Sequence, residues 1–434
     1  MKIKRLIVHN YKLFSELDLM LQQRLNVFVG INGAGKTSLL EAIATLLSWY
    51  TDRFKSPTLS TSGWKIGDWS IRNGAQDASL ELYARIPQFQ DEVVWNESAT
   101  REGHNQTGGS NRQKLNEAIK LLRSGLESAD AQGKGVQVRA LPVIAYYSTN
   151  RAVLDIPRKI RTRHSFEILE AYDGAMNGSA HFREFFEWFR DHEDIENDRA
   201  RKEPSFRDRQ LEAVREALSK CMPGYRDWRV CRYNSPVHME VRKDGVDTPV
   251  VVDTLSDGEK CLFAMVGDMA RRLAIANPDA AQPLSGSGVV LIDEIELHLH
   301  PGWQQRVIPS LLAAFPNIQF LITTHSPQVI SSVDKDCLYA VSDGVVGLWN
   351  GKTQTKGIDA NQLLVDVFNT PPSADSEQRQ RLDEYAMMLE SGSGFTEEGE
   401  RIYRELLRYF GEGDPVMALV TYRREILGRD EANA

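Results

Sequence analysis

Gly30, Gly35, Lys36 and Thr37 stand in the order G-x-x-x-x-G-K-T, after the apolar run Leu25-Asn26-Val27-Phe28-Val29 and ahead of a helically spaced stretch, Lys36 to Leu47. Those residue types fit one chemistry. Glycines let the backbone curl so that successive N–H groups face an anion at a helix N-terminus. A lysine at that point reaches the outer phosphates of a nucleoside triphosphate, and the threonine hydroxyl can ligate Mg²⁺. Gly30, Asn32, Gly33, Ala34, Gly35, Lys36, Thr37 and Ser38 are therefore the candidate contacts for ATP, with Mg²⁺ as its companion. A glycine turn that merely caps a helix is the plainer alternative, and the correct flanks on both sides argue against it.

Three further blocks carry candidate chemistry. Gly288-Val289-Val290-Leu291-Ile292 is an apolar strand ending in Asp293 and Glu294. Adjacent strand residues point to opposite faces, so only the strand's end lets both carboxylates turn to one ligand. Asp293 would hold Mg²⁺, directly or through water, and Glu294 would polarise an attacking water. Thr254-Leu255-Ser256-Asp257-Gly258-Glu259 precedes a helix. Ser256 and Glu259 have the spacing of a capping box, and the same hydroxyl and free N–H groups suit an anion. Phe320-Leu321-Ile322-Thr323-Thr324 is a strand that delivers His325.

The elements that must position these blocks follow from periodicity. Lys2 to Val8 alternates as a strand, Leu17 to Leu21 reads as a second, and Ala78 to Ile86 and Leu141 to Tyr147 as others. Ser56 to Gly74 and the polar stretch 98–114 read as loops, with a helix from Leu115 to Ser128. Ser165 to Lys220 has helical spacing, and its aromatic cluster Phe182, Phe185, Phe186, Trp188 and Phe189 reads as core. Val230 to Val252 reads as strands about a Lys243-Asp244-Gly245 turn. After Asn361 the chain turns helical and acidic.

Phosphate loop, LSDGE, acidic strand and histidine strand occur in the linear order of an ATP-binding cassette. Here the sequence resembles the ABC-type ATPases of the RecF, SMC and OLD-like group. The segments Ala145 to Arg151, Asp293 to Pro301 and Gly357 to Leu364 are similar to the PtuA-like ATPases of Septu and of retron anti-phage systems. The resemblance implies an α/β P-loop ATPase head, with a helical insert and a helical C-terminal extension. It implies that Ser256 and Gly258 of one copy contact the γ-phosphate held by Lys36 and Thr37 of a second, in an ATP-sandwich homodimer or a higher oligomer. His325 would sense the γ-phosphate, and Lys12 in Asn10-Tyr11-Lys12-Leu13-Phe14 matches a basic position that touches nucleotide. A separate nuclease subunit, of HNH type, is the implied partner; a RecF-like repair enzyme and an ATP-occupied scaffold silencing a toxin are the alternatives. Two departures stand out. Asp257 occupies a glycine position of the family's serine motif, and the Mg²⁺-coupling glutamine has only Gln76, Gln88 and Gln90 as candidates.

The organisation expected is a head in two parts, residues 1–164 and 226–356, around an insert at 165–225, with the extension at 357–434. Asp334-Lys335-Asp336 has the spacing of a nuclease motif, but its closeness to His325 reads as a polar turn. His298 and His300 lack a visible third metal ligand. Arg151, Arg158, Lys159, Arg161 and Arg163 face only Asp155, a run read as a solvated face or as a contact to DNA or RNA phosphates. The chain has 434 residues and a formal net charge of −8. No apolar run approaches membrane-spanning length and the four cysteines form no C-x-x-C pair, so a cytoplasmic protein with reduced thiols and no membrane contact is expected. Residues 375–434 hold 14 acidic and 8 basic side chains, so most of the acidity sits in the tail and says little against a polyanionic partner.

Overall fold

The computed structural model describes residues 1–434 except 57, 87, 88, 90, 105–107, 131–139, 150–166, 180, 181, 234–236, 352, 353, 371–376, 412, 433 and 434. The basic run Arg151 to Arg163, together with Gln88 and Gln90, lies outside the described residues. Two compact units are present, Met1–Phe368 and Asn369–Ala434.

Continuous apolar runs make the central sheet of the first unit, because parallel strands are covered on both faces. β3 (Leu25–Val29), β6 (Val143–Tyr147), β10 (Gly288–Ile292) and β11 (Ile318–Thr324) are buried at every residue. With β12 (Leu338–Ser342) and β13 (Val345–Leu348) they lie in the order β13-β12-β3-β11-β10-β6. All neighbours are parallel except the β12–β13 edge pair. Register puts Val27, Ile322, Ile292 and Tyr147 in one row, so four strands end together. The loops that follow them converge at the carboxyl edge, where open α/β sheets hold their ligands.

α1 (Lys36–Lys55) is apolar nearly all round and accordingly buried, from Leu39 to Phe54. It touches β6, β10 and β11 of the central sheet and also an antiparallel sheet. That second sheet runs β2 (Phe14–Met20), β1 (Lys2–Tyr11), β4 (Asp77–Arg85), β5 (Val93–Thr100). The polar reading of residues 98–114 began too early, since β5 continues to Thr100. Glu97 hides the alternation: it is buried because Arg112 pairs with it. α2 (Gln113–Asp130) follows.

The stretch expected to be helical resolves into a 3₁₀ turn at Ile168–Tyr172, α3 (Phe182–Ala200) and α4 (Arg209–Cys221). Its five aromatics are buried, as a core stripe should be. A third, antiparallel sheet comprises β7 (Tyr225–Cys231), β8 (His238–Lys243) and β9 (Val250–Val251). It feeds α5 (Asp257–Ala276), the helix headed by LSDGE. α6 (Pro301–Ala314) and the short α7 (Pro327–Ile330) follow β10 and β11. Asp334 pairs with Lys356 in a turn ahead of β12, in keeping with the polar-turn reading. α8 (Ala360–Phe368) belongs to the first unit, with Leu363 fully buried.

α5 carries a buried charge cluster. Asp268 accepts hydrogen bonds from Arg271 (2.9 Å), Arg272 (2.7 Å) and the Tyr147 hydroxyl (2.8 Å). Burial alone would raise its carboxyl, but the two guanidiniums outweigh that and hold it far below the usual range. Buried ions survive only when paired this completely. The cluster ties α5 to the end of β6.

The second unit has α9 (Glu377–Glu390), α10 (Glu397–Phe410) and α11 (Pro415–Ala432) around Leu382, Tyr385, Leu389, Ile402, Leu406 and Met417. α11 lies within the extension expected to be helical, though the sequence reading gives it no separate bounds. Its start signal is nonetheless there: Asp414 accepts from the Val416 and Met417 N–H groups, with proline at the first helical position. Among the described residues no helix is long and apolar enough to cross a membrane.

Candidate nucleotide site

The glycine loop leaves β3 and enters α1, as its flanks require. A Cβ at Gly30 would sit 2.2 Å from the Val341 carbonyl oxygen, so the first glycine is there for close passage of β12. Gly33 and Gly35 have φ of 83° and 107°, a region that side chains resist. Gly35 is the N-cap of α1 without a side-chain cap, leaving backbone N–H groups at the helix start for an anion. Lys36 is buried, and its ammonium donates to the carbonyls of Gly30 (2.8 Å) and Ile31 (3.0 Å). Burial lowers its pKa, partly offset by Glu294, Glu296 and Asp293.

Those acids mark the second wall. The Thr37 hydroxyl donates to Asp293 Oδ2 at 2.9 Å, and the Thr323 hydroxyl to Asp293 Oδ1 at 2.5 Å. A hydroxyl and a carboxylate in one hydrogen bond, beside a curled anion loop, are the donor set a hard divalent cation takes. The residues present therefore fit Mg·ATP. Glu294 has φ 46°, a strained conformation for a side chain, and its N–H is held by Thr323 Oγ1 at 2.8 Å. That turn ends the strand alternation at Glu294, whose charge acts on Lys36 alongside that of Asp293.

His325 ends β11 on the same edge. Its Nδ1 lies 3.0 Å from Glu296 Oε1, and its backbone N–H donates to the same oxygen at 2.6 Å. Glu296 was missed as a site residue, although it stands two positions after Glu294 in a stretch already singled out. It is buried, and burial would raise its carboxyl, yet the bonds from His325 hold it low. In return the Glu296 hydrogen bond raises the His325 pKa against the opposing effect of burial, aided by the charges of Glu296 and Glu294. The imidazolium thus persists to higher pH than an ordinary histidine, and its charge is lost as pH rises through that elevated pKa. In Glu296→Gln the His325 ring should titrate at lower pH, followed by NMR, and the alkaline fall in turnover should shift the same way. An unmoved profile would separate His325 from the chemistry.

Other predicted residues sit differently. Lys12 has its ammonium on Glu41 of α1 and 5.6 Å from the Trp69 ring, while Leu13 and Phe14 of the same turn pack on Gly35. Lys12 is therefore beside the phosphate-loop helix, already paired. Ser256 caps α5 in a complete capping box with Glu259. Burial alone would raise Glu259, but bonds from Tyr225, Lys243 and Ser256 bring its carboxyl down to about 2. A Cβ at Gly258 would lie 2.2 Å from the His298 carbonyl oxygen, so the serine motif packs on the turn that follows Glu294. Asp257 is exposed, 3.5 Å from Lys260. Among the described residues no hydrogen bond or ion pair joins Ser256 or Gly258 to Lys36 or Thr37. His300 Nδ1 accepts from the Gly302 N–H as the cap of α6, and His298 is exposed.

A parallel sheet whose phosphate loop, acidic strand and histidine strand meet at one edge defines the head of a P-loop ATPase. The model of the family described as "AAA domain, putative AbiEii toxin, Type IV TA system" matches residues 25–331, and the chain belongs to that family. The "Retron Ec83 probable ATPase" of Escherichia coli is 27% identical, covering 96% of this chain and 85% of its own length. "Septu protein PtuA" of Bacillus mycoides is 29% identical over 35% of this chain and 21% of its own. A solved structure, the SmcHead bound to the C-winged helix domain of ScpA, has a TM-score of 0.49 and 17% identity, covering 80% of this chain and 98% of that one. The expected likeness to the ATPases of retron and Septu systems is met, and the retron ATPase shares nearly the whole chain where the Septu protein shares about a third.

Proposed function

We propose that the chain binds Mg·ATP and hydrolyses it as a homodimer or higher oligomer, serving as the ATPase and regulatory subunit of a bacterial anti-phage system that acts with a separate nuclease. The observation that carries the catalytic part is the Thr37–Asp293 hydrogen bond, with Lys36 on one side and Glu294 on the other. The backbone N–H groups from Gly33 to Thr37 bind the phosphates, and Lys36 exchanges its carbonyl partners for phosphate oxygens. Thr37 and Asp293 would hold Mg²⁺, which when bound would supply neutralising charge on the outer phosphates. Glu294 accepts the proton of the attacking water, while Lys36 and the His325 imidazolium stabilise charge developing on the γ-phosphate. Ser256 and Gly258 of a second copy close the site.

The defence role is supported by the likeness to retron and Septu proteins. The nuclease partner, of HNH type by family resemblance, and any contact to DNA or RNA rest on that reading. The test is purification of the chain from its native operon with the products of neighbouring genes, identified by mass spectrometry. A nuclease at fixed stoichiometry is the expected result. A chain that purifies without one, and whose turnover rises on added DNA, would instead favour a repair enzyme.

A further inference from the structure

Away from the nucleotide site, the antiparallel ladder of β7 and β8 sets Cys231 directly opposite His238 and Arg229 directly opposite Glu240. Side chains two apart on a strand, and those of paired residues, share one face. Four residues far from any C-x-x-C pattern are thereby gathered on one patch. The Cys231 sulfur, a His238 ring nitrogen and a Glu240 carboxylate oxygen all lie within 4.8 Å of one another, the one such group among the described residues. His238 Nε2 is 3.2 Å from Glu240 Oε1, and Cys231 is buried.

We propose that Cys231, His238 and Glu240 form a binding site for a borderline-soft divalent cation, Zn²⁺ being the best match. Thiolate, imidazole and carboxylate are the three ligand types that zinc takes, and they exclude the hard cation of the nucleotide site from competing well. Binding replaces the thiol proton, which leaves to solvent, by the metal. Arg229 holds the other Glu240 oxygen at 3.0 Å, as an outer partner that orients a ligating carboxylate does. Three protein ligands leave a position for water. The cation would brace the sheet that leads into the serine motif, since Glu240 pairs with Val251 and the chain then runs through Val252–Thr254 to Ser256.

The experiment uses the full chain, stripped with a chelator and titrated with Zn²⁺ against a chromophoric competitor, then with Co²⁺ by absorption. One metal per chain is expected, with a thiolate-to-cobalt charge-transfer band. Cys231→Ser should abolish that band and weaken Zn²⁺ binding by at least about tenfold. Joint replacement of Cys221, Cys261 and Cys337 by serine should leave both unchanged. Glu240→Gln, which keeps the thiol, should retain the band and weaken binding; it serves if Cys231→Ser does not fold. Absence of stoichiometric metal in the unaltered chain, or a band that survives Cys231→Ser, overturns the proposal.

Discussion

Glu294→Gln should lower ATP turnover by about 10²–10⁴-fold, the usual share of a general base, while nucleotide affinity stays within a few-fold of the parent. The substitution keeps side-chain size and the φ 46° backbone that Thr323 holds, and removes only the group that accepts the proton. Binding survives because Lys36, Thr37 and Asp293 are untouched. With hydrolysis blocked, the ATP-bound pair of copies should accumulate, visible as a doubled mass in light scattering when ATP is added and as the single-chain mass with ADP. Equal turnover in variant and parent would remove Glu294 from the mechanism. Loss of turnover together with loss of binding would mean that Glu294 supports the loop rather than the chemistry.

Ser256→Arg should abolish turnover by about 10²–10³-fold or more, the cost of losing a preorganised donor to developing charge, and leave ATP binding to the single chain unchanged. The separation of effects follows from geometry. Within one chain Ser256 bonds to Glu259, and no described bond carries it to the phosphate loop. On the proposed reading its hydroxyl meets the γ-phosphate held by a second copy. Both arginine and alanine there lose the side-chain cap of α5, and Ser256→Ala, without the bulk and charge of arginine, should show the same order of effects at smaller size.

Much of this site was legible because its chemistry is local. A phosphate loop needs its glycines, lysine and threonine in consecutive positions, and an apolar strand ending in Asp293-Glu294 declares itself. What sequence spacing could not convey came from pairing between distant segments. Glu296 meets His325 only because β10 and β11 lie side by side. Cys231 meets His238 only through the β7–β8 register, with Glu240 brought in by the alternation of β8. Glu97 obscured β5 for the same reason, since its partner Arg112 stands on the far side of a loop. In α11 the helix start was readable, but the apolar residues beyond Pro415 fall on all faces and give no single stripe to follow.

The trans-completed site is the central claim, and mixing two inactive chains tests it most directly. Lys36→Ala, deprived of its phosphate-binding cation, and Ser256→Arg should each be inactive alone. In a mixed dimer one of the two sites joins the intact phosphate loop of the Ser256→Arg chain to the intact serine motif of the Lys36→Ala chain. Random pairing of equal amounts then predicts recovery to about a quarter of parental turnover, as an isologous dimer requires. Turnover that stays at the level of the separate variants would contradict the account.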